Sequence, residues 1–106
     1  MTQQRYVLSP EAITDLLDLE TFLTEREGRE RALTVIARLH RAMTSLSDYP
    51  GIGRRRKEFG GGPQSYAVQS WIIFYRPNAD RTAVEIIRVI DGRRDLSAIF
   101  AGKIRR

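Results

Sequence analysis

The 106-residue sequence predicts an α+β domain, with a helical hairpin packed on one face of a small antiparallel sheet. Three observations lead there. Two consecutive stretches repeat apolar residues at helical spacing, with one glycine between them. Three later stretches are short, rich in β-branched and aromatic residues, and bounded by turn formers. A glycine- and proline-rich segment separates the two halves. The length suits a single domain over residues 1–106, with a small core and a thin stability margin that fits a protein met in complex with a partner.

The elements follow in order. "RYVL", residues 5–8, fits an edge strand. In "SPEA", Ser9 can cap a helix, Pro10 suits its first position, and Glu11 favours the positive end of the helix dipole. Ile13, Leu16, Leu17, Phe22 and Leu23 then recur at helical spacing, with Asp15, Asp18, Glu20 and Glu25 on the wetter side, until Gly28 stops the helix. The second helix runs from about Glu30 to Ser47, with an apolar stripe of Ala32, Val35, Ile36, Leu39, Met43 and Leu46. The connection at Gly28 is short enough to demand a hairpin.

Residues 50–63, "PGIGRRRKEFGGGP", hold five glycines and two prolines around a basic run, Arg54 to Lys57, and are expected to lack regular structure. Strands are expected at roughly Gln64 to Val68, Trp71 to Arg76 and Thr82 to Ile90, with "PNADR" turning the last two. Leu96, Ile99 and Phe100 are expected to form one apolar helical turn before the tail "GKIRR".

Composition narrows the chemistry. There is no cysteine, so disulfides and thiolate metal sites are excluded, and the single histidine, His40, cannot build a zinc site. No stretch approaches the ~18 apolar residues of a membrane span. "MTQQRYVLSP" carries no signal-peptide core, so a cytoplasmic protein is expected. "GGGP", residues 60–63, lacks the strand-then-helix setting of a phosphate cradle and reads as a flexible turn into a strand. The net charge is +5, and only Lys57 and Lys103 of the eighteen basic residues are lysine. Arginine's planar fork suits carboxylate and phosphate, so the surface is either merely solvated or made for an acidic partner. Tyr66, Trp71, Phe74 and Tyr75 offer either core or a stacking platform, and at least two of them are expected in the core.

Four segments in this order resemble the RelE/ParE superfamily of type II toxin–antitoxin toxins. They are "YVLSPEAITDLLDLETFL", "LSDYPGIGRRRKEF", "SYAVQSWIIFYRP" and "VEIIRVIDGRRDL". The resemblance covers residues 6–100 and implies a fold with an N-terminal strand, the hairpin, the sheet and a short C-terminal helix. RelE-like members are ribosome-dependent messenger-RNA endonucleases that gather cations and a proton-handling side chain at the scissile phosphate. The arginine before their central strand falls here at Ile72, and the C-terminal tyrosine of some falls at Phe100. Only Arg94 keeps a shared cationic position.

"IIRVIDGRRDL" is similar instead to the ParE branch, also described as plasmid stabilisation proteins. That resemblance implies no catalysis and no cofactor. It implies inhibition of DNA gyrase in its DNA-cleaved state and a cognate antitoxin that wraps the toxin and carries most of the DNA contact. Two positions depart from many ParE-like chains: Asp91 replaces a histidine and Gln64 replaces an arginine. The alternatives are an mRNA endonuclease or a non-toxic member that only binds its antitoxin.

For target or antitoxin binding the candidates are Arg76, Arg88, Arg93, Arg94 and Asp95, gathered where the last strand leaves the sheet. Asp95 can equally pair with one arginine to pin the C-terminal turn. Leu16, Phe22, Leu23 and Leu39 are the candidate antitoxin groove on the hairpin.

Overall fold

A computed structural model describes residues 6–78, 80, 82–93 and 99–100. The elements are β1 (Tyr6–Leu8), α1 (Pro10–Glu27), α2 (Arg29–Asp48), β2 (Arg54–Arg55), β3 (Gln64–Val68), β4 (Trp71–Pro77) and β5 (Val84–Asp91), with a single 3-10 turn at Pro50–Ile52. Ile99 and Phe100 have helical backbone, and the rest of the expected C-terminal helix lies outside the described residues.

Local chemistry sets the helix ends. The Ala12 amide donates to Ser9 Oγ at 3.0 Å, Pro10 opens the helix, and Gly28 ends it with φ +95°, a conformation that favours glycine. Ser9 does more than cap. Its hydroxyl donates to the Ile87 carbonyl at 2.7 Å, and its amide donates to the Ile86 carbonyl at 3.0 Å. One residue therefore starts α1 and fastens it to β5.

The sheet has the order β1-β5-β4-β3-β2. Neighbours from β2 to β5 are antiparallel, but β1 runs parallel to β5, so the sheet is mixed rather than purely antiparallel. The parallel pairing follows from the hairpin, whose two helices carry the chain from β1 across the face of the sheet and back. Another expectation needs correction. The basic run is not free of regular structure, because Arg54 and Arg55 pair with Ser65 and Gln64 as β2. The glycines flank this segment rather than interrupt it, leaving a side-chain-bearing run long enough for one ladder step.

Two apolar layers cover the sheet. Between sheet and hairpin lie Ala12, Leu16, Leu23, Val35, Leu39, Met43 and Leu46, packed against Ile73, Tyr75, Val84, Ile86 and Val89. On the opposite face sits a smaller cluster of Phe59, Phe74, Ile87, Ile90 and Phe100. Its rings stack: Phe59 and Phe100 are 4.7 Å apart at 18°, and Phe74 meets Phe100 edge-on at 4.6 Å. The Arg56 guanidinium lies 4.9 Å from the Phe59 ring centre and closes this cluster from solvent.

Tyr75 ties the loop before β2 to the sheet. The ring is fully buried, and its hydroxyl donates to the Pro50 carbonyl at 2.7 Å and accepts from the Gly53 amide at 2.9 Å. A methyl group on Gly53 would run into that hydroxyl, so the close approach requires glycine. Gln64 joins the same knot, its amide donating to the Pro50 carbonyl at 2.9 Å. Gln64 thus acts as a loop fastener.

Candidate functional site

The far end of β5 carries the charge cluster read from the sequence. The Gly92 amide donates to the Ser70 carbonyl at 2.8 Å, closing the chain against the β3–β4 turn. There the Asp91 carboxylate accepts three bonds from Arg93: from its amide at 3.0 Å, Nε at 3.0 Å and a terminal nitrogen at 2.6 Å. These bonds hold the Arg93 guanidinium firmly protonated, with a pKa raised above the ordinary arginine value. The side chain is nonetheless 79% exposed and projects from the sheet end. Arg94 and Asp95 lie outside the described residues.

The other two candidate arginines are placed elsewhere. Arg88 turns to α1, donating through Nε and a terminal nitrogen to Asp15 at 2.8 and 2.9 Å, with both side chains largely buried. The same carboxylate accepts the Val89 amide at 2.8 Å. β1 pairs only with residues 84–86 of β5, so beyond that point the strand edge is open, and Asp15 closes it. Arg88 is thus committed to the fold. Arg76 stands at the opposite end of the sheet. It pairs with Glu85 near the start of β5, while Trp71 faces Asp91. Five residues of strand separate these positions, roughly 17 Å. The expected gathering of Arg76, Arg88 and Arg93 does not occur, because antiparallel pairing sends the end of β4 away from the end of β5.

The hairpin candidates also divide. Leu16, Leu23 and Leu39 are 8%, 2% and 0% exposed and belong to the core, so they cannot form a surface groove. Leu16 and Leu23 stand seven residues apart, on the α1 stripe that starts at Ala12 and faces the sheet. Phe22 is about a quarter-turn away and half exposed, with Arg26 over its ring at 5.2 Å. Ile13, Leu17 and Leu33 are the other large apolar residues exposed on the hairpin.

Phe22 borders a groove of about 270 Å³ between α1, the start of β4 and the end of β5. Leu19, Trp71 and Val89 form its apolar floor, and Asp18 and Arg93 stand at its rim. α1 carries six of the thirteen carboxylates of the chain, so a segment lying here meets apolar surface beside negative charge. Sequence reasoning missed Asp15, which it left among the wet residues of α1. An acidic residue one position before the apolar Leu16 was the only available signal.

The positions that matter to a nuclease are filled by packing. Ile72 packs against the aromatic cluster, and Phe100 is 2% exposed within it. His40 is half-buried and shares a 2.8 Å hydrogen bond between Nδ1 and the Tyr6 hydroxyl. Among the described residues there is no group of side chains fit to hold a metal ion and no helix long and apolar enough to cross a membrane.

The family model described as "ParE toxin of type II toxin-antitoxin system, parDE" matches residues 6–96. The chain belongs to the ParE toxin family. Among curated relatives, Toxin ParE3 of Caulobacter vibrioides is 32% identical over 79 residues, 74% of this chain and 77% of that one. Toxin ParE1 of the same organism is 33% identical over 85 residues, 80% of this chain and 85% of that one. A solved structure titled "Chromosomal ParDE TA system from P. aeruginosa" superposes with a TM-score of 0.70. It is 16% identical and matches over 83% of this chain and 95% of that one, which shows a shared fold. In this chain the Asp91 carboxylate organises the Gly92-Arg93 turn as its acceptor.

Proposed function

We propose that this ParE-family toxin arrests growth by binding DNA gyrase and holding it in its DNA-cleaved state, and that a cognate antitoxin relieves the arrest by covering the α1 groove. The observation that carries the reading is the sheet end itself. Arg93 is exposed and pre-oriented by Asp91, and it stands beside an apolar groove lined by Phe22 and Trp71. An aromatic and arginine pair of this kind is typical of protein-binding centres. Fixing the arginine in advance lowers the entropy lost on docking. The antitoxin segment is expected to carry apolar residues for the floor and basic residues toward Asp18. The action is that of an inhibitor, performed in the cytoplasm where gyrase works.

The test is supercoiling of relaxed plasmid by purified gyrase, with the chain added alone and then with its antitoxin. The expected result is loss of supercoiling with accumulation of linear DNA, both reversed by the antitoxin. Full supercoiling in the presence of folded toxin would overturn the gyrase reading. Cleaved transcripts in a translating extract would then favour the nuclease, and silence in both assays a member that only binds its antitoxin.

A further inference from the structure

At the other end of the sheet, three elements finish at one rim: β2 at Arg55, β4 at Arg76 and Pro77, and the turn that leads into β3. They enclose a polar pocket of about 370 Å³ lined by Arg55, Gly61, Gly62, Gln64, Arg76 and Asn78. Gly61 and Gly62 both have positive φ, at 82° and 57°, so the turn presents bare backbone at two successive positions. The arginines flank it. Arg55 Nε lies 3.3 Å from where a Gly62 side chain would begin, and a terminal nitrogen of Arg76 lies 3.8 Å from the corresponding point at Gly61.

The charge around this rim is unbalanced. Arg54, Arg55, Arg56, Lys57 and Arg76 stand against Glu58 and Glu85. Glu58 is shared by Arg54 and Arg56, Glu85 is taken by Arg76, and among the described residues Arg55 and Lys57 have no ion pair. Arg56 is turned inward over the phenylalanine rings, which leaves Arg54, Arg55, Lys57 and Arg76 facing solvent.

We propose that this rim pocket binds a phosphate of a nucleic-acid backbone, with Arg55 and Arg76 as its two clamps. A carboxylate offers two oxygens in one plane, which a single guanidinium fork can occupy. Two forks from different strands, set beside the successive glycines of one turn, instead suit a repeating acceptor that presents oxygens to both. A turn without side chains lets a bulky sugar-phosphate chain approach. The glycine run is not a helix-capped cradle; its positive field comes from side chains of β2 and β4, which flank β3. The inference is independent of the gyrase reading. It places a DNA contact on the toxin itself, where the sequence had left that role to the antitoxin.

The experiment is fluorescence anisotropy of a short labelled DNA duplex titrated with the chain over a range of salt. Arg55→Ala, Arg76→Ala and the double variant are compared with Arg38→Ala, an exposed arginine on α2. Each rim substitution is expected to weaken binding about fivefold at low salt and to reduce the salt slope by about one, with Arg38→Ala near wild type. Circular dichroism checks folding. Arg76 loses only an exposed pair and Arg55 none, so both variants should stay folded. Three results would overturn the proposal: no binding at low salt, equal losses at Arg38 and at the rim, or a polyglutamate competitor that binds the rim more tightly than the duplex. Running the same variants with gyrase separates the two readings, since duplex binding can persist where gyrase inhibition is absent, and the reverse.

Discussion

Asp15 and Arg88, 73 residues apart in the chain, are joined by two hydrogen bonds of 2.8 and 2.9 Å between α1 and β5. The pair does two jobs. It neutralises a cation beside the core, and its carboxylate completes the open edge of β5 through the Val89 amide. Removing either partner leaves the other charge largely buried and unpaired. Asp15→Ala also strands the Val89 amide. We predict a loss of about 2–4 kcal/mol for Asp15→Ala and somewhat less for Arg88→Ala. The double variant should lose less than the sum of the two. Urea unfolding of the double-mutant cycle measures this, and simple additivity would refute the coupling.

Tyr75 supplies a second test. Tyr75→Phe removes the hydroxyl that holds Pro50 and Gly53 and should cost about 1–3 kcal/mol. Burial raises the Tyr75 pKa above the ordinary tyrosine value of 10.0, so the folded state holds the phenolic proton more tightly than the unfolded chain. Its contribution to stability is therefore complete below pH 10.0 and declines as pH rises through the folded pKa. Alkaline unfolding monitored by circular dichroism should show a shallower decline in Tyr75→Phe than in wild type. Parallel curves would count against the assignment.

The groove separates surface from core. Phe22→Asp should leave the fold intact and weaken antitoxin binding by at least about tenfold, because Phe22 is half exposed. Leu23→Asp, one residue on, buries a charge and should prevent folding. Isothermal titration against the antitoxin, after a folding check, distinguishes them. Undiminished affinity for Phe22→Asp would move the antitoxin to another face.

Phe100→Tyr addresses the nuclease directly. If a missing hydroxyl were all that kept the chain from cutting RNA, this change would restore cleavage. Phe100 instead lies within a ring stack, 4.7 Å from Phe59 and 4.6 Å from Phe74. We predict no transcript cleavage in a translating extract and a stability loss of about 1–2 kcal/mol from the buried hydroxyl.

The fold was legible where a signal is local. Ser9, Pro10 and Glu11 announce the start of α1, Gly28 its end, and the apolar, β-branched run "VEIIRVI" the last strand. The site was less so. Leu16, Phe22 and Leu23 are all apolar residues on one helix, and only the helix phase relative to the sheet separates two core residues from one exposed ring. Arg76 and Arg93 both sit at strand ends, and which end each occupies depends on strand direction rather than on composition. Asp15 and Arg88 meet across 73 residues, a pairing no local window contains. The rim arginines gain meaning only once β2 and β4 finish at the same rim, on either side of β3.

The double fastening of Ser9 has a temporal consequence. A ribosome adds on the order of 5–20 residues each second, N-terminus first. Ser9 and Asp15 emerge early, yet their partners Ile86, Ile87, Arg88 and Val89 are among the last strand residues made. Until those partners leave the exit tunnel, α1 lacks its anchor and the groove beside it has no far wall. The fold is therefore closed only after an interval set by elongation rate, when the strand that anchors α1 has been made.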